Sequence, residues 1–179
     1  MPAASLDEWF AINNLFVRYA TALDACDVET VVACFEPDGW IDSPVLGRFD
    51  GSEGIREFAM RTVRLKREQG AQFRHVVSNL RVEVDGARAK AWCYLLDFLT
   101  RDSKTELLSP GEYTCDLKKT NGAWRFVQRS VAMDRSFTLP DAAQSDVTQS
   151  SNRQATKNVP PQKPLEERRA EDPGTRGIE

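Results

Sequence analysis

The chain has 179 residues, 41% of them hydrophobic, with a formal charge of −3 and a pI near 5.4. That length allows one hydrophobic core and excludes two ordinary domains. The acidic balance gives no basic footprint, which argues against nucleic acid or an anionic membrane as partner and for a small molecule or a protein.

No charged start followed by an apolar run occurs over residues 1–20, and no stretch reaches bilayer length, so a cytosolic protein is expected. The four cysteines, Cys26, Cys34, Cys93 and Cys115, fall at irregular spacings without Cys-x-x-Cys and read as buried free thiols.

Ser5 and Glu8 form a capping-box pattern, with Asp7 and Glu8 at the positive end of a helix expected over Leu6 to Asp24. At 100° per residue Ile12, Phe16, Tyr19 and Leu23 share an arc that Trp9 and Ala20 widen towards Val17 and Phe10. Asp24 falls inside that apolar arc and in the last turn, where the helix dipole disfavours an anion. An aspartate there either opens the turn to Asp27 or does chemistry. Asp27 is the better cap for a second helix, Val28 to Phe35, ended by Pro37, so Asp24 is left without a structural task.

Trp40 to Asp42 and Val45 to Phe49 read as two short strands. Ser52 is expected to cap a third helix running to Glu68, with Ile55, Phe58, Ala59, Thr62 and Val63 inward and Gly70 as its stop. The period then changes to two. Phe73 to Val84 and Arg88 to Thr100 are expected to pair about Asp85-Gly86, and Glu112 to Lys119 and Ala123 to Arg135 about Asn121-Gly122. Helices followed by long antiparallel strands give an α+β class, with helices on one face of a curved sheet. The strand from Arg88 is apolar on both faces: Ala91, Cys93 and Leu95 on one, Trp92, Tyr94, Leu96 and Phe98 on the other. The favoured explanation is a homo-oligomer interface; the alternative is a strand buried twice within one chain. Residues 1–140 form the expected domain, and residues 141–179, without an aromatic residue, read as a polar disordered tail in which Glu166 to Glu171 could make a short charged helix.

His75, the one histidine, alternates with Phe73 and Val77. A strand histidine is commonly structural, but Asp24 offers a carboxylate that could fix its tautomer and leave the other ring nitrogen as a base. Tyr19 could donate its hydroxyl to a substrate oxygen or simply fill the core. Asp97 interrupts an apolar face, with Arg129 on the last strand as a possible partner, either as a structural ion pair or in a catalytic role. No phosphate loop, nucleophile elbow or histidine-rich metal cluster is present, and no metal or cofactor is expected.

These motifs together carry a resemblance. Tyr19 and Asp24 at a helix end, Phe35-Glu36-Pro37-Asp38-Gly39, Gly51-Ser52-Glu53-Gly54, His75 with Asn79-Leu80, and Gly122-Ala123-Trp124-Arg125-Phe126 occur in the order seen in the SnoaL-like branch of the nuclear-transport-factor-2-like superfamily. The resemblance covers Leu6 to about Phe137. It implies a cone-shaped α+β barrel, a curved, mostly antiparallel sheet on three N-terminal helices, with a deep apolar pocket and assembly as homodimers or homotrimers. In the members it looks most like, scytalone dehydratase, the bile acid 7α-dehydratase and the lindane dehydrochlorinase, an Asp–His dyad performs eliminations without cofactor. Asp24 and His75 match that dyad, Tyr19 and Asp97 match a tyrosine and an acid of the bile acid enzyme, and Arg129 matches an arginine of the dehydrochlorinase. The chain lacks the second histidine of scytalone dehydratase. The resulting expectation is a lyase acting on a mostly apolar cyclic compound. An isomerase or cyclase with the same base, a small subunit of a ring-hydroxylating dioxygenase and a ligand-binding protein are the alternatives.

Overall fold

A computed structural model describes residues 1–134. The expected tail, its charged helix and the last residue of the expected final strand, Arg135, lie outside the described residues.

Helix α1 (Leu6–Ala25) buries Ile12, Leu15, Phe16, Tyr19 and Leu23, and leaves Phe10 and Val17 in solvent. Each large apolar side chain so buried stabilises the fold by about 1.5–3 kcal/mol. Ser5 accepts the main-chain N–H of Glu8 at 3.3 Å, half of the expected capping box. Glu8 does not reach back to complete it. Its carboxylate accepts from Lys119 Nζ at 2.9 Å and Trp124 Nε1 at 2.6 Å, tying the helix start to the far end of the sheet. Cys26 ends α1 in the left-handed region at φ +62°.

Asp27 caps α2 (Val28–Ala33) by accepting from the Thr30 N–H at 3.1 Å. This helix is shorter than expected, because Phe35 and Pro37 belong to strand β1 (Phe35–Ser43). β1 runs antiparallel to β2 (Gly47–Asp50) and parallel to β6 (Ala123–Met133). The β1–β6 register shifts between Phe35 and Trp40, the interval that holds Pro37, which has no N–H for a ladder. Within it Gly39 lies so close to β6 that an added Cβ would stand 2.9 Å from the Phe126 carbonyl oxygen.

Helix α3 (Gly51–Glu68) is not capped by Ser52, whose hydroxyl instead donates to the Pro37 carbonyl at 3.4 Å. Its buried stripe contains the expected Ile55, Phe58, Ala59, Thr62 and Val63 and continues to Lys66. Gly70, at φ +56°, turns the chain into the sheet.

Strands β3 (Gln72–Asp85), β4 (Arg88–Arg101) and β5 (Lys104–Thr120) complete a six-stranded sheet of order β2-β1-β6-β5-β4-β3. The sheet has two edges, β2 and β3, so the expected cone is open-sided and not closed into a barrel. Register shifts at Ser78/Arg81, Asp97/Phe98 and Asp116/Leu117 bend the long strands around the helices. Residues 2–4 cover part of the β3 edge, with Val84 N–H donating to the Pro2 carbonyl at 3.0 Å.

Asn121 and Gly122, at φ +53° and +79°, form the expected tight turn. In the β3–β4 hairpin the loop is Gly86-Ala87, one residue later than expected, since Asp85 pairs with Arg88. The β4–β5 hairpin was not legible. Its turn is Asp102-Ser103, both at positive φ without a glycine, and it starts β5 at Lys104 instead of Glu112.

Candidate active site

Asp24 stands in the last turn of α1 and His75 near the start of β3, and their side chains meet. His75 Nδ1 lies 2.7 Å from Asp24 Oδ1, and the His75 main-chain N–H donates to Asp24 Oδ2 at 3.1 Å. Because the carboxylate already accepts from the main chain, it serves the ring as an acceptor too. Nδ1 then carries the proton and Nε2 keeps a lone pair. Asp97 is the direct cross-strand partner of His75 in the β3–β4 ladder, and its Oδ2 lies 4.0 Å from Nε2. The three side chains are 10–18% exposed, enough for access but not for free hydration.

Burial pushes the Asp97 carboxyl above its ordinary value; His75 opposes this, Asp24 adds to it, and Lys66 opposes it. Its Oδ1 is buried with no hydrogen-bond partner among the described residues. An acid in that setting gives up its proton less readily than a free carboxyl, and its protonated form can donate.

His75 and Asp97 line a cavity of about 90 Å³ that opens to solvent. Tyr19 and Tyr113 line it as well, and most of the remaining wall is apolar, with Leu23, Phe58, Phe73 and Leu95 among it. Leu108 reaches the wall because the β4–β5 register shift leaves it without a partner between Ser109 and Leu107. Burial raises both phenols, Tyr113 to about 12 and Tyr19 further, with Arg129 opposing the rise in each. Both therefore stay protonated as donors at ordinary pH.

Arg129 does not pair with Asp97. It is fully buried, with its guanidinium carbon 3.6 Å from the Tyr113 ring centroid, 4.1 Å from Tyr19, 4.8 Å from Phe126 and 5.1 Å from Phe16. Its three guanidinium nitrogens make no well-aligned hydrogen bond among the described residues, although the Tyr113 hydroxyl lies close enough for Arg129 to loosen its hold on its proton. The reason is register. Arg129 faces Cys115, and Cys115 faces Ala91, six steps along β4 from Asp97 and about 20 Å away at strand rise. Alternation had placed Asp97 on the face of Ala91, Cys93 and Leu95, but it says nothing of the level at which Arg129 stands. Arg129 therefore backs the tyrosines and is not among the residues lining the cavity.

Sequence reasoning missed Tyr113 and Lys66. Tyr113 alternates inward with Cys115 and Leu117, a signal present in the sequence. Lys66 sits four residues after Thr62 and three after Val63, a lysine on an apolar stripe. Of the thiols, Cys34, Cys93 and Cys115 are buried and all four are free. Among the described residues no three His, Cys, Asp or Glu side chains are placed to hold a metal ion, and no helix is long and apolar enough to cross a membrane.

A family model described as a SnoaL-like domain matches residues 4–130. The chain belongs to the SnoaL-like domain family. Among solved structures, this SnoaL-like chain is similar to an aspartate-to-asparagine variant of Rv3472, a Mycobacterium tuberculosis protein of unknown function, at 28% identity and TM-score 0.65, covering 72% of this chain and 73% of that one. An NTF2-like protein with a cystatin-like fold from Novosphingobium aromaticivorans superposes with TM-score 0.65 at 22% identity over 73% and 85% of the two chains. A candidate scytalone dehydratase from the same organism gives TM-score 0.64 at 20% identity over 75% and 89%. At such identities the last two establish the NTF2-like fold alone.

Proposed function

We propose that this SnoaL-like protein is a cofactor-independent lyase that eliminates water or a similar group from a small, mostly apolar cyclic substrate. The observation that carries the reading is the 2.7 Å contact between Asp24 and His75 Nδ1, which leaves Nε2 beside Asp97, with His75 and Asp97 both lining the cavity. His75 Nε2 takes a proton from carbon next to an activating group, and Asp24 stabilises the imidazolium that forms. The electron pair left behind expels the leaving hydroxyl, which departs as water with the proton of Asp97. Transfer of the substrate proton from His75 to Asp97 then restores both groups. Tyr19 or Tyr113 donates to the substrate's activating oxygen. An apolar cavity that takes benzene measures about 150 Å³; at about 90 Å³ this one favours one ring or less inside.

The test is turnover of one- and two-ring β-hydroxy ketones in D₂O, followed by product mass. Loss of water marks elimination, and deuterium uptake without loss marks isomerisation by the same base. His75→Ala should lower either rate by about 10²–10⁴-fold, the range of positioned general acid-base help. A His75→Ala rate equal to wild type would overturn the reading.

We also infer that the outer sheet face seats a second copy of the chain. Val76, Tyr94 and Leu107 are exposed on the β3–β5 strands, and Trp92, though covered in part by Arg81 at 4.9 Å, Leu96 and Phe98 are half-buried. Light scattering after size-exclusion chromatography should give a dimer or trimer mass; a monomer removes the inference.

A further inference from the structure

Lys66 is 6% exposed, on the last turn of α3, where its position in the apolar stripe leaves no route to bulk water for most of its length. Its Nζ donates to the main-chain carbonyl of Asp24 and lies 5.9 Å from the centroid of the Phe73 ring. That carbonyl belongs to the last turn of α1, where carbonyl groups lack helical partners and the helix dipole is negative. Four elements thus converge on one cluster: Asp24 from α1, Lys66 from α3, His75 from β3 and Asp97 from β4.

A buried ammonium needs a reason, since desolvating it costs several kcal/mol unless anions or acceptors surround it. Here the acceptor is the backbone of the very residue that orients His75, and two carboxylates lie nearby. Without Lys66 the cluster would hold two acids and one imidazole at the negative end of a helix. It would then hold no positive charge to set against the two acids.

We propose that Lys66 is a positioning residue for this cluster: its ammonium fixes the last turn of α1, and with it the Asp24 carboxylate, against His75, and its charge offsets the two acids so that His75 is left free to accept a proton. The electrostatic part needs no turnover to be tested. Its catalytic consequence rests on the lyase reading above.

The chain's single histidine makes the readout direct. The ring Cε1–H signal of His75 is followed by NMR against pH in the full chain, for wild type, Lys66→Met, Lys66→Gln and Lys66→Arg. Loss of the charge should move the midpoint of that signal up by about one pH unit, a tenfold tighter hold on the proton. Met keeps the stem and Gln keeps a donor, so both uncharged variants should show the rise, while Arg should stay close to wild type. The difference should persist at high salt, because a buried charge is screened little. A merely packing role predicts an unmoved midpoint in Lys66→Met and Lys66→Gln, with at most a lower melting temperature, and that result overturns the proposal. Should Lys66→Met fail to fold, Lys66→Gln carries the same comparison. If His75→Ala leaves turnover unchanged yet the midpoint moves, the lyase reading fails and the role of Lys66 stands.

Discussion

The inside of the sheet holds charge at two levels, and it treats the two differently. At one level Asp24, His75 and Asp97 keep partial contact with solvent, and the buried Lys66 reaches the Asp24 main chain from behind them. At the other, Arg129 is sealed among the rings of Tyr19, Tyr113, Phe16 and Phe126, with no anion beside it among the described residues. The first arrangement can exchange protons, because its members have opposing preferences and access to a cavity. The second cannot: guanidinium keeps its proton at any ordinary pH, and the surrounding π faces steady it by about 0.5–2 kcal/mol each. In the proposed reaction, chemistry belongs to the first level, while the second holds the tyrosines that line part of the cavity.

The largest expected effect falls on the first level, as the loss of about 10²–10⁴ in rate on His75→Ala, with the fold kept by circular dichroism. The division then predicts a different response for Arg129. Arg129→Ala should cost about 2–5 kcal/mol in chemical denaturation, because the cage is left around a void. Arg129→Met, which refills that volume without a buried charge, should cost less than about 1.5 kcal/mol. If Arg129→Met folds normally but has lost turnover, the guanidinium takes part in the chemistry and the division fails.

Asp97 gives the finest test. Burial raises its carboxyl above the ordinary 3.8, so ionising it costs the folded state. That cost is absent below pH 3.8 and is felt in full once pH has risen through the folded value. Asp97→Asn should therefore melt above wild type at neutral pH, and the gap should close as pH falls towards 3.8. A variant less stable than wild type at neutral pH would mean that the ionised carboxyl is held by a partner it prefers.

The pair of Asp24 and His75 was legible from the sequence because each broke a pattern: an acid on an apolar helical arc, and an imidazole on an inward strand face. Tyr113 was legible by the opposite signal, continuing the inward alternation of Cys115 and Leu117, and went unread. The shape of the β4–β5 hairpin was hidden, since its turn uses Asp102 and Ser103 where the usual signal is glycine. The short second helix was misjudged because Pro37 was read as a stop and proved to sit inside a strand that parts from its neighbour there.

By itself the sequence determined which residues turn inward, where α1 and α2 begin and where α3 stops, since periodicity and capping are local and written in neighbouring residues. It did not determine which inward residues share a level. Asp97 and Arg129 share a face yet lie about 20 Å apart along the sheet, while Lys66 reaches the backbone of Asp24 across 42 positions in the chain. Strand register and the docking of α3 against α1 decide such meetings, because they depend on the packing of the whole core and leave no mark on any short stretch of chain.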